Sequence, residues 1–272
     1  MNILEVFDWK AIVALLALIL SQLPPVRQMI KGKKLRMSVA DIAQFTHYFG
    51  NTNMSLWIDL ENVGAKTITI RRINCFLRRQ EQTIQTLTAR TYWVTESLSH
   101  DKPLELPFPE IALKPGERWS GYLRLLDTKA WTKAIESRVK SVISKVRDDI
   151  TSKAAIRDKE SKAIPMAERP LVEVEADPLL IQEINDILKH LKKIEVGEYE
   201  MFVAAYETID QSPFKILGFD LTIFENDVRE IFEDTADYKY GFGVHISSTK
   251  TKFIQISIRA KREGKEVLDL KL

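Results

Sequence analysis

The stretch Met54-Ser55-Leu56-Trp57-Ile58-Asp59-Leu60-Glu61 has a methionine or an aliphatic side chain at every second residue. A period of two puts these side chains on one face of a strand and the remaining ones on the other. The residues that follow, Asn62-Val63-Gly64-Ala65, are typical of a turn. Residues 54–61 therefore predict a strand that buries one face, as in an antiparallel sheet.

Similar alternation recurs on both sides of this strand. Extended segments are predicted at 68–77, 83–94, 119–125, 199–206, 217–223, 238–247, 252–260 and 265–272. The apolar set slips by one residue at Arg71-Arg72, which predicts a β-bulge. Lys114-Pro115-Gly116-Glu117 has the proline and glycine positions of a type II turn, and Gly197-Glu198-Tyr199 resembles the tyrosine corner of Greek-key sandwiches. Short strands separated by turns predict a mainly β fold, an Ig-like antiparallel β-sandwich.

A helical region interrupts the strands. Apolar residues step by three or four along one stripe: Trp131, Ile135, Val139, Val142, Val146 and Ile150. Asp177-Pro178 is a typical start of a second amphipathic helix. The predicted organisation is an N-terminal anchor over 1–26, a first part of the sandwich over 27–127, a helical hairpin inserted over 128–196 and the remaining strands over 197–272.

The N-terminal segment contains an unbroken apolar run at 11–20, whose helix would rise about 15 Å. Extension to 3–23 gives a helix of about 31 Å, enough to span a bilayer, although Glu5, Asp8 and Lys10 fall within it. The acidic leader disfavours a secretory signal peptide. A single membrane-spanning anchor and a buried core helix both remain open, and the flanking charges favour the anchor.

Five cations follow the apolar run before the first acid, Asp41: they are Arg27, Lys31, Lys33, Lys34 and Arg36. Only Lys10 precedes the run. The positive-inside rule then predicts that the C-terminal part faces the cytoplasm from the bacterial inner membrane. The same five side chains are predicted to contact the membrane surface, because anionic headgroups attract cations.

Several short stretches together resemble a group of uncharacterised bacterial proteins with one N-terminal membrane helix and an Ig-like β-sandwich. They are 20–26 (Leu-Ser-Gln-Leu-Pro-Pro-Val), 47–51 (His-Tyr-Phe-Gly-Asn), 60–64 (Leu-Glu-Asn-Val-Gly), 113–119 (Leu-Lys-Pro-Gly-Glu-Arg-Trp), 197–199, 224–227 (Phe-Glu-Asn-Asp) and 238–243 (Tyr-Lys-Tyr-Gly-Phe-Gly). The resemblance implies the anchor and the sandwich, and it implies no functional residue.

The composition and the sequence motifs give little support to a catalytic, cofactor or metal site. The 272 residues carry a net charge of +2, which disfavours a nucleic-acid partner, and Cys75 is the single cysteine. Phosphate-loop and dinucleotide motifs are absent. The histidines are far apart in sequence, at His47, His100, His190 and His245. No catalytic, cofactor or metal residue is therefore predicted.

Two minor alternatives concern carboxylates. Acid-x-Lys triplets of the kind used by metal-dependent nucleases occur at 237–239, 263–265 and 269–271. Asp59, Glu61 and Asn62 offer oxygen ligands for Ca²⁺, against the simpler interpretation of a solvated strand face.

Charge also varies along the chain. Residues 129–164 contain ten bases and five acids, whereas 165–200 contain four and nine, and 219–238 contain one and seven. These faces either pair with one another or form a bipolar surface that meets the membrane and a partner.

The sequence favours a non-enzymatic interaction module tethered to the membrane. Its predicted partners are the lipid bilayer, through the N-terminal helix, and a protein or a second copy of the chain. The alternatives are a membrane-acting effector with oligomerised anchors, for example in antiphage defence, and a metal-dependent hydrolase.

Overall fold

The computed structural model describes residues 9–22, 32–94, 104–161, 174–208, 212–243 and 253–261. The helices are α1 (Trp9–Gln22), α2 (Lys133–Ser161), α3 (Pro178–Leu191) and α4 (Glu225–Ile231), with a 3-10 helix at Glu233–Tyr240. The first strands are β1 (Leu35–Tyr48), β2 (Asn51–Asn62), β3 (Ile68–Ile70), β4 (Arg72–Arg79), β5 (Gln82–Val94) and β6 (Leu104–Pro107). The others are β7 (Ile111–Leu113), β8 (Arg118–Leu126), β9 (Gly197–Tyr206), β10 (Lys215–Ile223) and β11 (Ile254–Ala260).

Eight strands form a closed antiparallel barrel in the order β4-β9-β10-β11-β1-β2-β8-β5, and β5 pairs again with β4. β6 pairs with β5 outside this ring, and β3 and β7 form a separate two-stranded sheet. The barrel has a cap end, where β1 turns into β2, and an opposite end, where β1 starts. The alternation predicted from residues 54–61 is confirmed, because Met54, Leu56, Ile58 and Leu60 are fully buried.

The prediction of an Ig-like β-sandwich is wrong. β5 closes the ring because its first half pairs with β4, from Gln82 to Thr88, and its second half pairs with β8, from Thr88 to Trp93. A sandwich leaves each of its two sheets with edge strands, whereas this ring has none. Period-two alternation does not separate the two folds, because both bury one face of every strand.

The core fills the barrel and continues into the small sheet at the end where β1 starts. Ile68 and Ile70 of β3 and Leu113 of β7 belong to the same apolar cluster as the barrel interior. The slip in the apolar pattern at Arg71 is therefore a change of sheet and not a β-bulge, since the chain leaves β3 and enters β4 there. The type II turn at 114–117 is confirmed: the Glu117 amide donates to the Lys114 carbonyl over 3.0 Å, and Gly116 has a φ of 81°.

The cap end of the barrel meets α2 and α3, which lie between β8 and β9 in the chain. Their apolar stripes form one cluster with Phe49 of the β1–β2 turn and Tyr238 of the 3-10 helix. The predicted start of α3 is confirmed, because Asp177 Oδ1 accepts a hydrogen bond of 2.8 Å from the Leu179 amide and Pro178 is the first helical residue.

The C-terminal part differs from the predicted three strands. Residues 238–240 belong to a 3-10 helix, which ends at Gly241 with a φ of 83°. β11 matches the predicted strand over 252–260 in position. The strand predicted at 265–272 lies outside the described residues.

Tyr199 forms the hydrogen bonds of a tyrosine corner at the start of β9. Its hydroxyl donates to the Glu195 carbonyl over 2.7 Å and accepts from the Glu195 amide over 2.9 Å. The local feature predicted from Gly197-Glu198-Tyr199 is therefore confirmed in a barrel.

Tyr199→Phe should lower the free energy of unfolding by about 1–2 kcal/mol, because both Glu195 backbone groups lose their partner. Urea unfolding measures the change. Tyr48→Phe, at a tyrosine that is largely exposed, serves as the control and should differ little from wild type. Equal small losses in both variants would contradict a stabilising role for the corner.

The prediction of a single-pass membrane helix over residues 3–23 is wrong, because the structure has a 14-residue helix at Trp9–Gln22. Among the described residues, no helix is both long enough and apolar enough to cross a membrane. The alternative of a buried core helix is also not observed, since α1 contributes to none of the apolar clusters of the described chain.

Candidate functional site

The segment just before β1 is held against the turn that follows β2. The Lys34 carbonyl accepts the amides of Val63 at 2.9 Å and Gly64 at 3.1 Å, and the Gly32 carbonyl accepts the Ala65 amide at 3.1 Å. Gly64 makes this approach possible, because a Cβ at this position would lie 2.5 Å from both Gly32 O and Lys34 N. The backbone of 32–34 is thereby fixed at the end of the barrel where β1 starts.

A cavity of about 600 Å³ opens beside this segment. Its walls are formed by Gly32, Lys33, Lys34, Leu35, Arg36, Met37, Val63 and Lys215. Leu35 and Met37 are buried and belong to the barrel core, and four of the other lining residues are the cations Lys33, Lys34, Arg36 and Lys215. We call this cavity the basic pocket.

Lys215 reaches the basic pocket because β11 is short. β11 separates β1 from β10 near the middle of the barrel but stops at Ala260, opposite Phe219. The Lys261 amide still donates to the Gly218 carbonyl over 2.9 Å, and β1 and β10 also lie close to each other. The first residue of β10, Lys215, thus lies beside the cations at the start of β1.

Among the described residues, carboxylate partners are seen for Lys33 and for Arg36, and both partners lie outside the pocket lining. Lys33 forms an ion pair with Glu207, and Arg36 Nη1 lies 2.8 Å from Glu61 Oε2. Glu61 is shared with Arg118, at 3.5 Å. Lys34 makes no ion pair with any residue that the structure describes. The described residues that line the pocket carry four positive charges and no carboxylate, so this pocket attracts anions.

The arrangement suits binding more than catalysis. Ammonium and guanidinium groups around one cavity donate charge-assisted hydrogen bonds to phosphate or carboxylate oxygens. Within the described part of the lining there is no serine, cysteine, histidine or carboxylate that would act as a nucleophile or general base.

Three of the five cations predicted at a membrane surface, Lys33, Lys34 and Arg36, are brought together here. Arg27 and Lys31 lie outside the described residues. Sequence reasoning missed Lys215, which is 179 positions from Arg36. Lys215 and Arg36 come together through the pairing of β11 between β1 and β10, and no local sequence pattern predicts this pairing.

A second polar group of interest is buried at the cap end of the barrel. His47 Nδ1 accepts the Gly50 amide at 2.9 Å, so Nε2 carries the proton and donates to Asp234 Oδ1 at 2.8 Å. The His47 ring packs 5.1 Å from that of Phe232. Both ring nitrogens are therefore occupied, and this pair ties β1 to the 3-10 helix without leaving a free base.

A lysine close to this pair is also shielded from water. Lys192 Nζ donates to Thr235 Oγ1 over 3.1 Å and lies 4.7 Å from the centre of the Phe232 ring. Burial lowers the pKa of Lys192, and the carboxylate of Asp234 opposes that shift.

The other residues considered for catalysis or metal binding have structural roles. Cys75 is buried inside the barrel, and burial raises the pKa of its thiol, which leaves it unreactive. Within the described residues, no three His, Cys, Asp or Glu side chains are grouped so as to hold a metal ion. Asn62 faces the core, where its amide donates to the carbonyls of Lys66 and Leu113, so it cannot share a Ca²⁺ site with Glu61.

The acid-x-Lys triplets give no support to a nuclease site. In the triplet at 237–239, Tyr238 is buried and Lys239 Nζ lies 2.6 Å from Glu175 Oε1. The triplets at 263–265 and 269–271 lie outside the described residues.

The opposite charges of 129–164 and 165–200 pair with each other at two points. Arg138 and Lys145 of α2 lie 3.6 Å and 3.5 Å from the carboxylate of Glu183 in α3. At these positions the simpler interpretation, that the two faces neutralise each other, agrees with the structure.

Of the other three histidines, His190 is exposed on α3, and His100 and His245 lie outside the described residues.

Comparison of the chain with protein-family models, with curated proteins and with solved structures finds no match in any of the three.

Proposed function

We propose that the protein is a non-catalytic binding module that attaches to the anionic cytoplasmic face of a membrane, with α1 lying in the interface and the basic pocket facing the headgroups. The observation that carries the proposal is the basic pocket: four cations line one cavity at the barrel end that follows α1 in the chain. This attachment is peripheral and needs no spanning helix.

The exposure of α1 supports this placement. Residues 13–18 are all exposed, and six consecutive residues cover every side of a helix. Trp9, at the start of the helix, is also exposed. A helix that is apolar on all sides requires an apolar environment, and the acyl boundary of a bilayer supplies one.

The covalent connection places α1 and the basic pocket within reach of the same surface. Ten residue steps join Gln22 to Gly32, so their Cα atoms are separated by at most about 36 Å. Cations next to an anionic leaflet each contribute about 1 kcal/mol. The apolar helix and the cations therefore provide the two signals that stable membrane attachment needs.

Sedimentation of the full chain with vesicles tests the proposal. We expect binding to vesicles that contain phosphatidylglycerol or phosphatidic acid, weak binding to pure phosphatidylcholine, and a loss of affinity between about 0.1 M and about 0.5 M salt, because ions screen exposed charges. Equal binding to neutral and anionic vesicles, or no binding to either, would refute the proposal.

The double variant Lys34→Glu/Lys215→Glu should weaken binding to anionic vesicles by at least about tenfold, since each reversed cation loses about 1 kcal/mol and adds repulsion. Lys133→Glu/Lys189→Glu is the matched control, because it changes the net charge equally at two exposed lysines of α2 and α3. A similar loss in both variants would show that net charge, and not the basic pocket, controls attachment.

A further inference from the structure

We infer that the basic pocket binds one phosphate monoester group and that Glu207 occupies the place of that group until the ligand arrives. This inference rests on the function proposed above and names the ligand chemistry of the same site. It starts from the ion pair between Lys33 and Glu207.

Glu207 lies at the edge of the basic pocket on the same hairpin as Lys215. β9 and β10 pair from Ala205↔Lys215 onwards, and the Phe214 amide donates to the Ala205 carbonyl over 2.8 Å. The Glu207 side chain is 26% exposed, less than that of Lys33, at 40%. The carboxylate is therefore largely shielded from solvent and faces one of the pocket's cations.

The resident carboxylate neutralises one cation and offers two oxygens. A phosphate monoester carries a charge of about −1.5 to −2 at neutral pH and offers three acceptor oxygens. It can therefore contact more than one of the cations that line the pocket, whereas the Glu207 carboxylate pairs with Lys33. A phosphate diester carries one charge and two free oxygens, so it gains less from displacing Glu207.

The size of the cavity fits an ester better than inorganic phosphate alone. Its volume of about 600 Å³ lies in the range of small-molecule sites, and its lining includes the apolar residues Leu35, Met37 and Val63 beside the cations. The ligand class is a phosphate monoester with an organic part, either a lipid headgroup such as phosphatidic acid or a soluble ester such as glycerol 3-phosphate.

The competition between Glu207 and the phosphate group for Lys33 gives a direct test of the inference. Glu207→Gln keeps the shape of the side chain, removes its charge and frees Lys33, so we expect affinity for phosphatidic acid vesicles to rise about three- to tenfold. Glu195→Gln is the matched control, since Glu195 also pairs with a cation, in this case Arg79, but at the cap end of the barrel. This control removes the same charge and should leave the affinity unchanged.

A double-mutant cycle separates displacement from a general change in potential. In a Lys33→Ala background, Glu207→Gln should give no more gain than Glu195→Gln, because the ion pair no longer exists. A full gain in that background would overturn the role of Glu207 as a stand-in for the ligand.

Calorimetry with glycerol 3-phosphate and sedimentation with vesicles of matched charge density distinguish the two sources of ligand. Saturable one-to-one binding of glycerol 3-phosphate supports a soluble ester. Preference for phosphatidic acid over phosphatidylglycerol vesicles, with no binding of the soluble ester, supports a lipid headgroup. If the protein neither binds glycerol 3-phosphate nor prefers phosphatidic acid to phosphatidylglycerol vesicles, the inference is wrong. Binding to both kinds of anionic vesicle would still leave the proposed function intact.

Discussion

Gly64→Ala is expected to lower the free energy of unfolding by about 2 kcal/mol and to weaken binding to anionic vesicles by about tenfold. The added methyl group would lie 2.5 Å from the Gly32 oxygen and the Lys34 nitrogen, and these are backbone atoms that cannot rotate away. The segment 32–34 must move, and the amides of Val63 and Gly64 then lose the Lys34 carbonyl as their acceptor. In Gly64→Ala we therefore expect the loss of stability and the distortion of the basic pocket to occur together.

Gly32→Ala is the matched control for this prediction. It makes the same chemical change on the other side of the same contact, where a Cβ would meet nothing within 4 Å. Urea unfolding and vesicle sedimentation should both give values close to wild type. If Gly64→Ala also behaved like wild type, the contact between 32–34 and the β2 turn would not control the site.

His47→Ala is expected to produce the largest loss of stability, about 3–5 kcal/mol, because it leaves the Asp234 carboxylate buried without its donor. The side chains of His47 and Asp234 are 2% and 6% exposed, so water cannot replace the lost partner without opening the cap end. The Gly50 amide loses its acceptor in the same variant.

His190→Ala provides the comparison, since it removes a histidine that is exposed on α3, and we expect a change below about 0.5 kcal/mol. Because His47 lies at the barrel end opposite the basic pocket, any His47→Ala protein that remains folded should bind vesicles like wild type. A folded variant with lost binding and unchanged stability would point to a functional role for His47 instead.

The local elements of the fold follow from the sequence with little ambiguity. Alternation at Met54–Leu60, the Pro115-Gly116 turn and the stripe of α2 each depend on residues that are close in the chain. The 3-10 helix at Glu233–Tyr240 was missed, because the aromatic residues near Tyr238 imitate a strand pattern although Tyr238 packs against α2 and α3.

The closure of the barrel depends on a pairing that no local pattern records. A strand that alternates has the same sequence whether its neighbour belongs to the same sheet or to a facing one. The decisive feature is the length of β5, whose 13 residues serve two neighbours in turn. Its continuation past Thr88 converts what would be two sheets into one ring.

The site was partly predictable for the same reason. Lys33, Lys34 and Arg36 are neighbours in the sequence, so their charge is visible without a structure. Lys215 and Glu207 join them through the β9–β10 hairpin, and the short β11 lets that hairpin approach β1. Long-range pairing therefore decides which charges share one cavity.

The position of β11 also has a consequence for biosynthesis. This strand, at Ile254–Ala260, fits between β10 and β1, so more than 200 residues separate it from Phe45, its partner in β1. A growing chain cannot complete the ring until residue 260 has left the ribosome, and until then β1 and β10 each expose an unpaired edge. Such non-local closure slows folding and leaves the nascent chain dependent on protection from aggregation, by chaperones or by rapid release.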